Sequence, residues 1–380
     1  MRTRAVAGLT TLVLVWLSPM VLGQEYNFLD LGTLGGSNSW AVAINNSGVV
    51  VGRSYLPGST VWHAFRTSSS SPINPATDDL GTLGGSYSVA AGINDAGIVS
   101  GYSWLPGNKG PHAFRISPNS VIHTTDDIGA FSSEYGTGPS YVYGINASGQ
   151  MAGNSNVSGR THALRSIGPI TIADDLGTPG SDSYGQAIND LGQVVGYITT
   201  PGGLNHAFRT APNMPINTVT DDLGTLGGNM SYAYGIDNSG RVVGWAHTST
   251  GQAHAFRTAP NSPTSPSTDD LGTLGGATSM AFAINNLGDT VGSSAIPSGI
   301  NHAFLYTSGT MKDLNSMIPA GTGWTLVQAY DINDNGQIIG QATDGVNTHG
   351  FLLTPVPEPA TLSLLALGGL AMMRRRRHRK

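Results

Sequence analysis

Between residues 30 and 353 the apolar residues come in short runs of four to seven positions, broken by Gly, Asn, Asp, Ser and Pro. No run has the 3.6-residue spacing of an amphipathic helix, so the pattern predicts strands throughout. The runs fall into one unit repeated seven times. Asp-Leu-Gly or a variant begins at Asp30, Asp79, Asp127, Asp175, Asp222, Asp270 and Asp313, at spacings of 49, 48, 48, 47, 48 and 43 residues. Each unit then carries Ile-Asn/Asp-x-x-Gly, first at 44–48 and last at 332–336, followed by an apolar run closing on Gly. The last mark is His-Ala-Phe, varied to HAL at 162–164 and HGF at 349–351.

Residues 86–135 illustrate the elements a unit predicts. SVAAGIN is a strand and NDAG its turn, where Asn can accept from backbone amides and Gly can take positive φ. IVSGYSW is the second strand, LPGNKG a connection, HAFRI the third strand and DDIGAF the fourth. Four strands in about 48 residues is the length of one propeller blade. A blade alone cannot cover its Ile, Val and Phe side chains; seven arranged in a ring bury both faces of each. YNFLDLGTL, after residue 25, reads as a fourth-type strand without its first three, and the last unit has HGFLLTP but no further DLG. The expected fold is therefore all-β, a seven-bladed propeller over residues 24–354 closed by its N-terminal strand. An open solenoid or two smaller domains are the rival readings.

Composition sharpens this picture. The chain has 53 Gly in 380 residues, 11% charged residues and no Cys, so stability rests on a core or a closed ring, and thiolate chemistry is excluded. The net charge of −5 hides a segregation. Without the basic residues of the two ends, 10 basic and 22 acidic residues remain, a body near −12. Such a surface repels phosphate backbones, and no nucleic-acid partner is expected. Residues 1–23 read as an export signal: MRTR supplies the positive start, AVAGLTTLVLVWL the apolar stretch, and Gly23–Gln24 the cleavage point. An uncleaved anchor is the alternative, disfavoured by Pro19 in the apolar run.

Candidate chemistry is sparse. His63, His112, His162, His206, His254, His302 and His349 share one repeat position. Equivalent positions in a large ring lie whole blades apart unless they line the axis, so a structural bond within each blade is expected rather than a metal site. The pairs Asp78-Asp79, Asp126-Asp127, Asp174-Asp175, Asp221-Asp222 and Asp269-Asp270 are read as turn stabilisers, because adjacent strand residues point to opposite faces. The unrepeated acids Glu25, Glu134, Asp182, Asp289 and Asp344 form no catalytic constellation, and no GxSxG, P-loop or HExxH motif stands out. No catalytic residue, cofactor or metal ligand is expected. Tyr55, Trp62, Trp104, Tyr197 and Trp245 are candidates for a sugar-stacking rim.

The combination DLGTLGG, AxxIN, VVG and HAFR over residues 30 to about 353 resembles the HAF-repeat family of extracellular proteins. The resemblance implies an exported bacterial protein and no known chemistry; the third unit, with DIGAFSSEYGTG and HAL, departs most from the pattern. Residues 355–380 change character. Pro357, Glu358 and Pro359 precede fourteen apolar residues, Ala360 to Met373, and the chain finishes on Arg374, Arg375, Arg376, Arg377, His378, Arg379 and Lys380. A nucleic-acid tail is incompatible with export. A permanent anchor would be short, about 21 Å as a helix against a core of about 30 Å. The order of parts is similar to the PEP-CTERM sorting signal. That resemblance implies recognition of Pro357, Glu358 and Pro359 by an exosortase, with the arginines as a cytoplasmic stop during transient inner-membrane insertion. It also implies a Gram-negative-type host that makes extracellular polysaccharide. The resulting expectation is a Sec-exported surface or matrix protein, non-enzymatic and polysaccharide-binding or structural; a secreted polysaccharide hydrolase or lyase on the same scaffold is the alternative.

Overall fold

The computed structural model describes residues 25–131 and 138–356. They form seven small antiparallel sheets in a ring, a seven-bladed β-propeller. The signal stretch 1–23, the PEP motif, the apolar segment and the terminal arginines lie outside the described residues. Among those described, no helix is long and apolar enough to cross a membrane.

Strand β1 (Tyr26–Asp30) precedes the first blade. Blade 1 holds β2 (Ser39–Ile44), β3 (Val50–Tyr55), β4 (Trp62–Arg66) and β5 (Asp79–Gly81). Blade 2 holds β6 (Ser88–Ile93), β7 (Val99–Trp104), β8 (Pro111–Ile116) and β9 (Asp127–Gly129). Blade 3 has β10 (Ser140–Ile145), β11 (Met151–Val157) and β12 (Arg160–Ser166). Blade 4 has β13 (Ser183–Ile188), β14 (Val194–Thr199) and β15 (Asn205–Arg209). Blade 5 has β16 (Gly227–Ile236), β17 (Val242–Thr248) and β18 (Ala253–Arg257). Blade 6 returns to four strands, β19 (Ser279–Ile284), β20 (Thr290–Ala295), β21 (Asn301–Thr307) and β22 (Thr310–Asp313). Blade 7 has β23 (Thr325–Ile332), β24 (Ile338–Thr343) and β25 (Thr348–Pro355), and β1 completes it. The closing register runs from Tyr26 opposite Pro355 to Asp30 opposite Phe351.

The fourth strand is shorter than the six residues that DDIGAF suggests. β5 and β9 keep three residues, and in blades 3 to 5 the ladder shrinks to single bridges, Leu164 to Asp175, Phe208 to Asp222 and Phe256 to Asp270. The cause is the Gly of Asp-Leu-Gly, which takes the left-handed conformation (φ +78° at Gly129) and turns the chain away after two residues.

The core sits between blades. The Phe of each His-Ala-Phe and of HGF is fully buried, as is Leu164 in the third unit. Around Phe114, for example, Val51, Ala64 and Leu80 of blade 1 meet Ala90, Val99 and Ile116 of blade 2. Each such Phe contributes roughly 2–3 kcal/mol by leaving water.

Serine hydroxyls fix the spacing of the blades. Ser88 Oγ, on the first strand of blade 2, accepts from Ala64 N (2.8 Å) and donates to the Gly81 carbonyl (2.6 Å) of blade 1. Ser140, Ser183, Ser231 and Ser279 repeat the bridge, and Ser39 makes it to Gly350 N and Gly32 O at the closing seam. Between blades 6 and 7 the role passes to Asn315 of the DLN variant, which bonds Leu326 N and Leu326 O.

Within each blade the first and second strands come together at a glycine. A Cβ on Gly101 would lie 2.0 Å from the Val89 carbonyl oxygen, and the same clash recurs at Gly52, Gly153, Gly196, Gly244, Gly292 and Gly340. Gly101→Ala is therefore expected to cost about 3 kcal/mol or more by forcing the two strands apart. Chemical denaturation checks this; an unchanged midpoint would contradict the close approach.

Candidate functional site

Each first strand runs inward along the ring axis and ends on its Ile-Asn/Asp turn. At that end a cavity of ≈ 240 Å³ is lined by the turns of all seven blades. The Asn side chains close it. Asn45 Nδ2 donates to Asn94 O (3.2 Å), Asn94 to Asn146 O (3.1 Å), Asn146 to Asn189 O (3.0 Å) and Asn189 to Asp237 O (3.0 Å). Asn285 donates to Asn333 O and Asn333 to Asn45 O. The chain of donors breaks only at Asp237, which has no amide to donate and instead accepts from Arg241 Nε. A second, exposed circle lies outside it, where Asn46 N donates to Asp95, Asp190 N to Asn238, Asn286 N to Asp334, and Asp334 N to Asn46. This end is a structural hub: its amides are engaged in holding blades together.

The middle of the axis is a cavity of ≈ 220 Å³ walled by Ala, Gly and Ile at most positions. One residue breaks the pattern. The position before the repeated Ile is Ala or Gly in six units and Asp331 in the seventh. Asp331 Oδ2 accepts from Ile44 N (2.9 Å) across the closing seam, and Oδ1 from Ile332 N (2.9 Å). Burial pushes the carboxyl up to about 7, against the opposing effect of the two N–H donors. The channel leaves the side chain partly open, so solvent moderates that push without reversing it.

The opposite end is aromatic. A cavity of ≈ 330 Å³ opens between Trp40, Tyr102, Tyr143 and Tyr330, with Arg53 and Gln186 as its polar groups. From its edge a line of half-buried rings crosses blades 1 to 3, with centroids 5.5 Å apart at Trp40–Tyr55, 6.0 Å at Tyr55–Trp62, 4.5 Å at Trp62–Tyr87 and 5.4 Å at Tyr87–Trp104. Tyr102 joins Trp104 to Tyr141. A second line, Tyr184, Tyr197, Tyr232 and Trp245, spans blades 4 and 5 at 4.5–4.7 Å. The five aromatic residues singled out from sequence thus lie on one rim, none fully buried.

The repeated histidines lie elsewhere, one per blade between the third strand and the Asp of Asp-Leu-Gly. His63 Nδ1 is 2.9 Å from Asp79, His112 2.9 Å from Asp127 and His162 2.8 Å from Asp175. His206 pairs Asp222 (2.8 Å), His254 Asp270 (2.9 Å), His302 Asp313 (2.7 Å) and His349 Asp30 (2.9 Å). The bond to Asp222 raises His206. Burial alone would raise Asp79 and Asp222, but their His partners and the N–H groups of Gly81 and Gly224 hold both below the usual range. The members of each Asp pair point apart: Asp79 holds His63, whereas Asp78 accepts from Asn74 N (2.8 Å) and Thr77 Oγ1. Among the described residues no group of three His, Asp or Glu is placed to hold a metal ion.

Sequence reasoning passed over Arg53, Tyr143, Gln186, Tyr330 and Asp331. Aligning the seven units column by column would have found them, because each stands in a column that faces the axis.

With the folded carboxyl of Asp331 pushed up to about 7 and the unfolded one at about 3.8, folding takes up a proton between those two values. Stability linked to this group is complete below about 3.8 and falls as pH rises through about 7. Asp331→Asn loses one acceptor at every pH but has nothing to ionise. Relative to the parent, its melting temperature should therefore climb between pH 4 and pH 8; a pH-independent offset would contradict the protonated native carboxyl.

No curated protein matches the chain. Similar solved structures include the sialidase of Trypanosoma rangeli in complex with 2,3-difluoro-KDN, at 11% identity and TM-score 0.41, covering 88% of this chain and 58% of that one. The same sialidase with 2,3-difluorosialic acid, a covalent intermediate, gives 10% identity and TM-score 0.44, covering 88% and 59%. The fucose-specific lectin of Aleuria aurantia gives 10% identity and TM-score 0.32, covering 71% and 95%. The chain thus spans less than two thirds of the sialidase's length. Residues 355–377 match the PEP-CTERM protein-sorting motif, which marks an exported, surface-targeted protein processed by an exosortase.

Proposed function

We propose that the propeller is a non-enzymatic binding protein that holds extracellular polysaccharide at its aromatic mouth. The observation that carries this reading is the line of half-buried rings running from the axial cavity across blades 1 to 3. Such rings offer flat apolar faces to the C–H faces of sugars while the acidic body stays hydrated. The walls of that cavity contain no carboxylate, whereas glycoside hydrolysis ordinarily needs two flanking the bond. HAF-repeat membership, a Sec-cleaved signal at 1–23, transient insertion of residues 360–373 in the inner membrane and recognition of Pro357, Glu358 and Pro359 belong to the same reading. They are supported by the sequence pattern and the sorting-motif match.

One observation favours the enzymatic alternative. Asp331, a channel carboxyl that burial pushes up to about 7, has the property of a general acid. Incubating the purified protein with matrix polysaccharide separates the two readings. Retention without new reducing ends is expected, and released oligosaccharide would overturn the binding reading. Trp104→Ala should weaken retention about tenfold, the loss of one stacking ring worth roughly 1.5 kcal/mol.

Sorting has its own test. Deleting Arg374–Lys380 should leave the chain unprocessed, read by intact mass as a C-terminus still at Met373. Normal processing of that deletion would sink the exosortase assignment of the basic stop.

A further inference from the structure

The aromatic mouth departs from seven-fold symmetry at one charged residue. At the position after the second-strand glycine, blade 1 carries Arg53, and the other six blades carry uncharged residues, from Tyr102 to Gln341. Arg53 stands opposite Trp40 in the β2–β3 ladder. Its guanidinium carbon lies 4.7 Å from the centroid of the Trp40 ring and 5.3 Å from that of Trp62. The two indoles hold the group in place by cation–π attraction.

The donors of that guanidinium are unused. Arg66, Arg160, Arg165, Arg209, Arg241 and Arg257 each donate to a carbonyl or carboxylate, while Arg115, at the repeat position of Arg66, has its Nε buried without an acceptor. Arg53 donates to none among the described residues, and no carboxylate pairs with it. Gln186, on the opposite wall of the cavity, likewise has an amide engaged by no described residue. Burial raises Tyr102 and Tyr330, and the Arg53 charge opposes that rise at both phenols.

A positioned, unpaired guanidinium in a body near −12 is a local exception to the charge around it. Its planar fork matches a carboxylate, through two parallel N–H···O bonds. The ring walls match the apolar faces of a pyranose. At ≈ 330 Å³ the cavity is at the lower end of the range for small-molecule sites, about 300–1,000 Å³, which suits one or two sugar units rather than a long chain laid flat.

We propose that this cavity binds a hexuronate unit of an acidic polysaccharide, with the carboxylate on Arg53, the sugar ring against Trp40 and Tyr102, and a hydroxyl on Gln186. The proposal rests on the polysaccharide-binding reading and narrows it to carboxylated sugars. The acidic body then serves selectivity: it repels the rest of an anionic chain, so only a unit that reaches Arg53 is held.

The test uses calorimetric titration of the purified full chain with trigalacturonate, trimannuronate and their methyl esters, which keep the skeleton and mask the charge. At least one free acid is expected to bind about tenfold or more tightly than its ester, with Arg53→Gln abolishing the preference and Arg53→Lys restoring part of it. An unchanged melting temperature confirms that the variants fold. Equal binding of acid and ester, or a preference that survives Arg53→Gln, overturns the carboxylate assignment but leaves a neutral-sugar site standing. Failure of every oligosaccharide to bind overturns this proposal; the broader reading then stands or falls on retention of whole matrix polysaccharide.

Discussion

The ring depends on a buried hydroxyl that is both donor and acceptor. At six of the seven blade junctions a serine on the first strand of one blade takes an N–H from the third strand of the blade before it and gives its own hydrogen to the carbonyl of a left-handed glycine. An unmet polar group there would cost about 1–3 kcal/mol, so the two blades are held at one distance and one angle. The repeated marks then have distinct tasks. His and Asp tie the outer chain segment to the third strand, Ala leaves room beside its bonded N–H, Phe fills the wedge between sheets, and Gly presents its carbonyl. At the axis the Asn side chains supply a second set of blade-to-blade bonds at the narrow end of each wedge.

Seven blades, their order and the seam were legible because periodicity survives in sequence however the strands are arranged in space. HGFLLTP without a following Asp-Leu-Gly needed a partner, and YNFLD near the start could supply it. The length of the fourth strand was not legible. Its boundary is set by a glycine backbone angle, and Asp127-Ile128-Gly129 looks the same on paper whether or not the chain continues straight. The axial residues were hidden for a different reason. Each unit contributes one residue per layer, so the walls of the mouth come from positions about fifty residues apart that share no local motif. Arg53 and Gln186 become neighbours only when the ring closes.

Four departures from symmetry concern the axis and the blade junctions. Asp237 interrupts the Asn circle and recruits Arg241, Asn315 replaces a serine bridge, Asp331 enters the channel, and Arg53 enters the aromatic mouth. The first two have local structural partners that account for them. Asp331 serves the seam through Ile44 N and also faces open space. Arg53 has ring neighbours but no hydrogen-bond acceptor, and it is the departure that the fold itself does not explain.

The direction of the strands has a mechanical consequence. β25 runs from the aromatic end of blade 7 to the end bearing the Asn turns, where Gln337, just past the last turn, reaches Thr354, and Val356 N–H bonds the Glu25 carbonyl. Anything that grips the chain beyond Val356 therefore pulls on the face opposite the aromatic mouth. Tension between a polymer held at that mouth and a hold on the C-terminal segment would run lengthwise along β25. That strand is paired on both sides, to β24 and β1, by hydrogen bonds that lie across the pull. They would be strained together rather than opened one after another, which makes the seam of the ring the strand best placed to resist being drawn out.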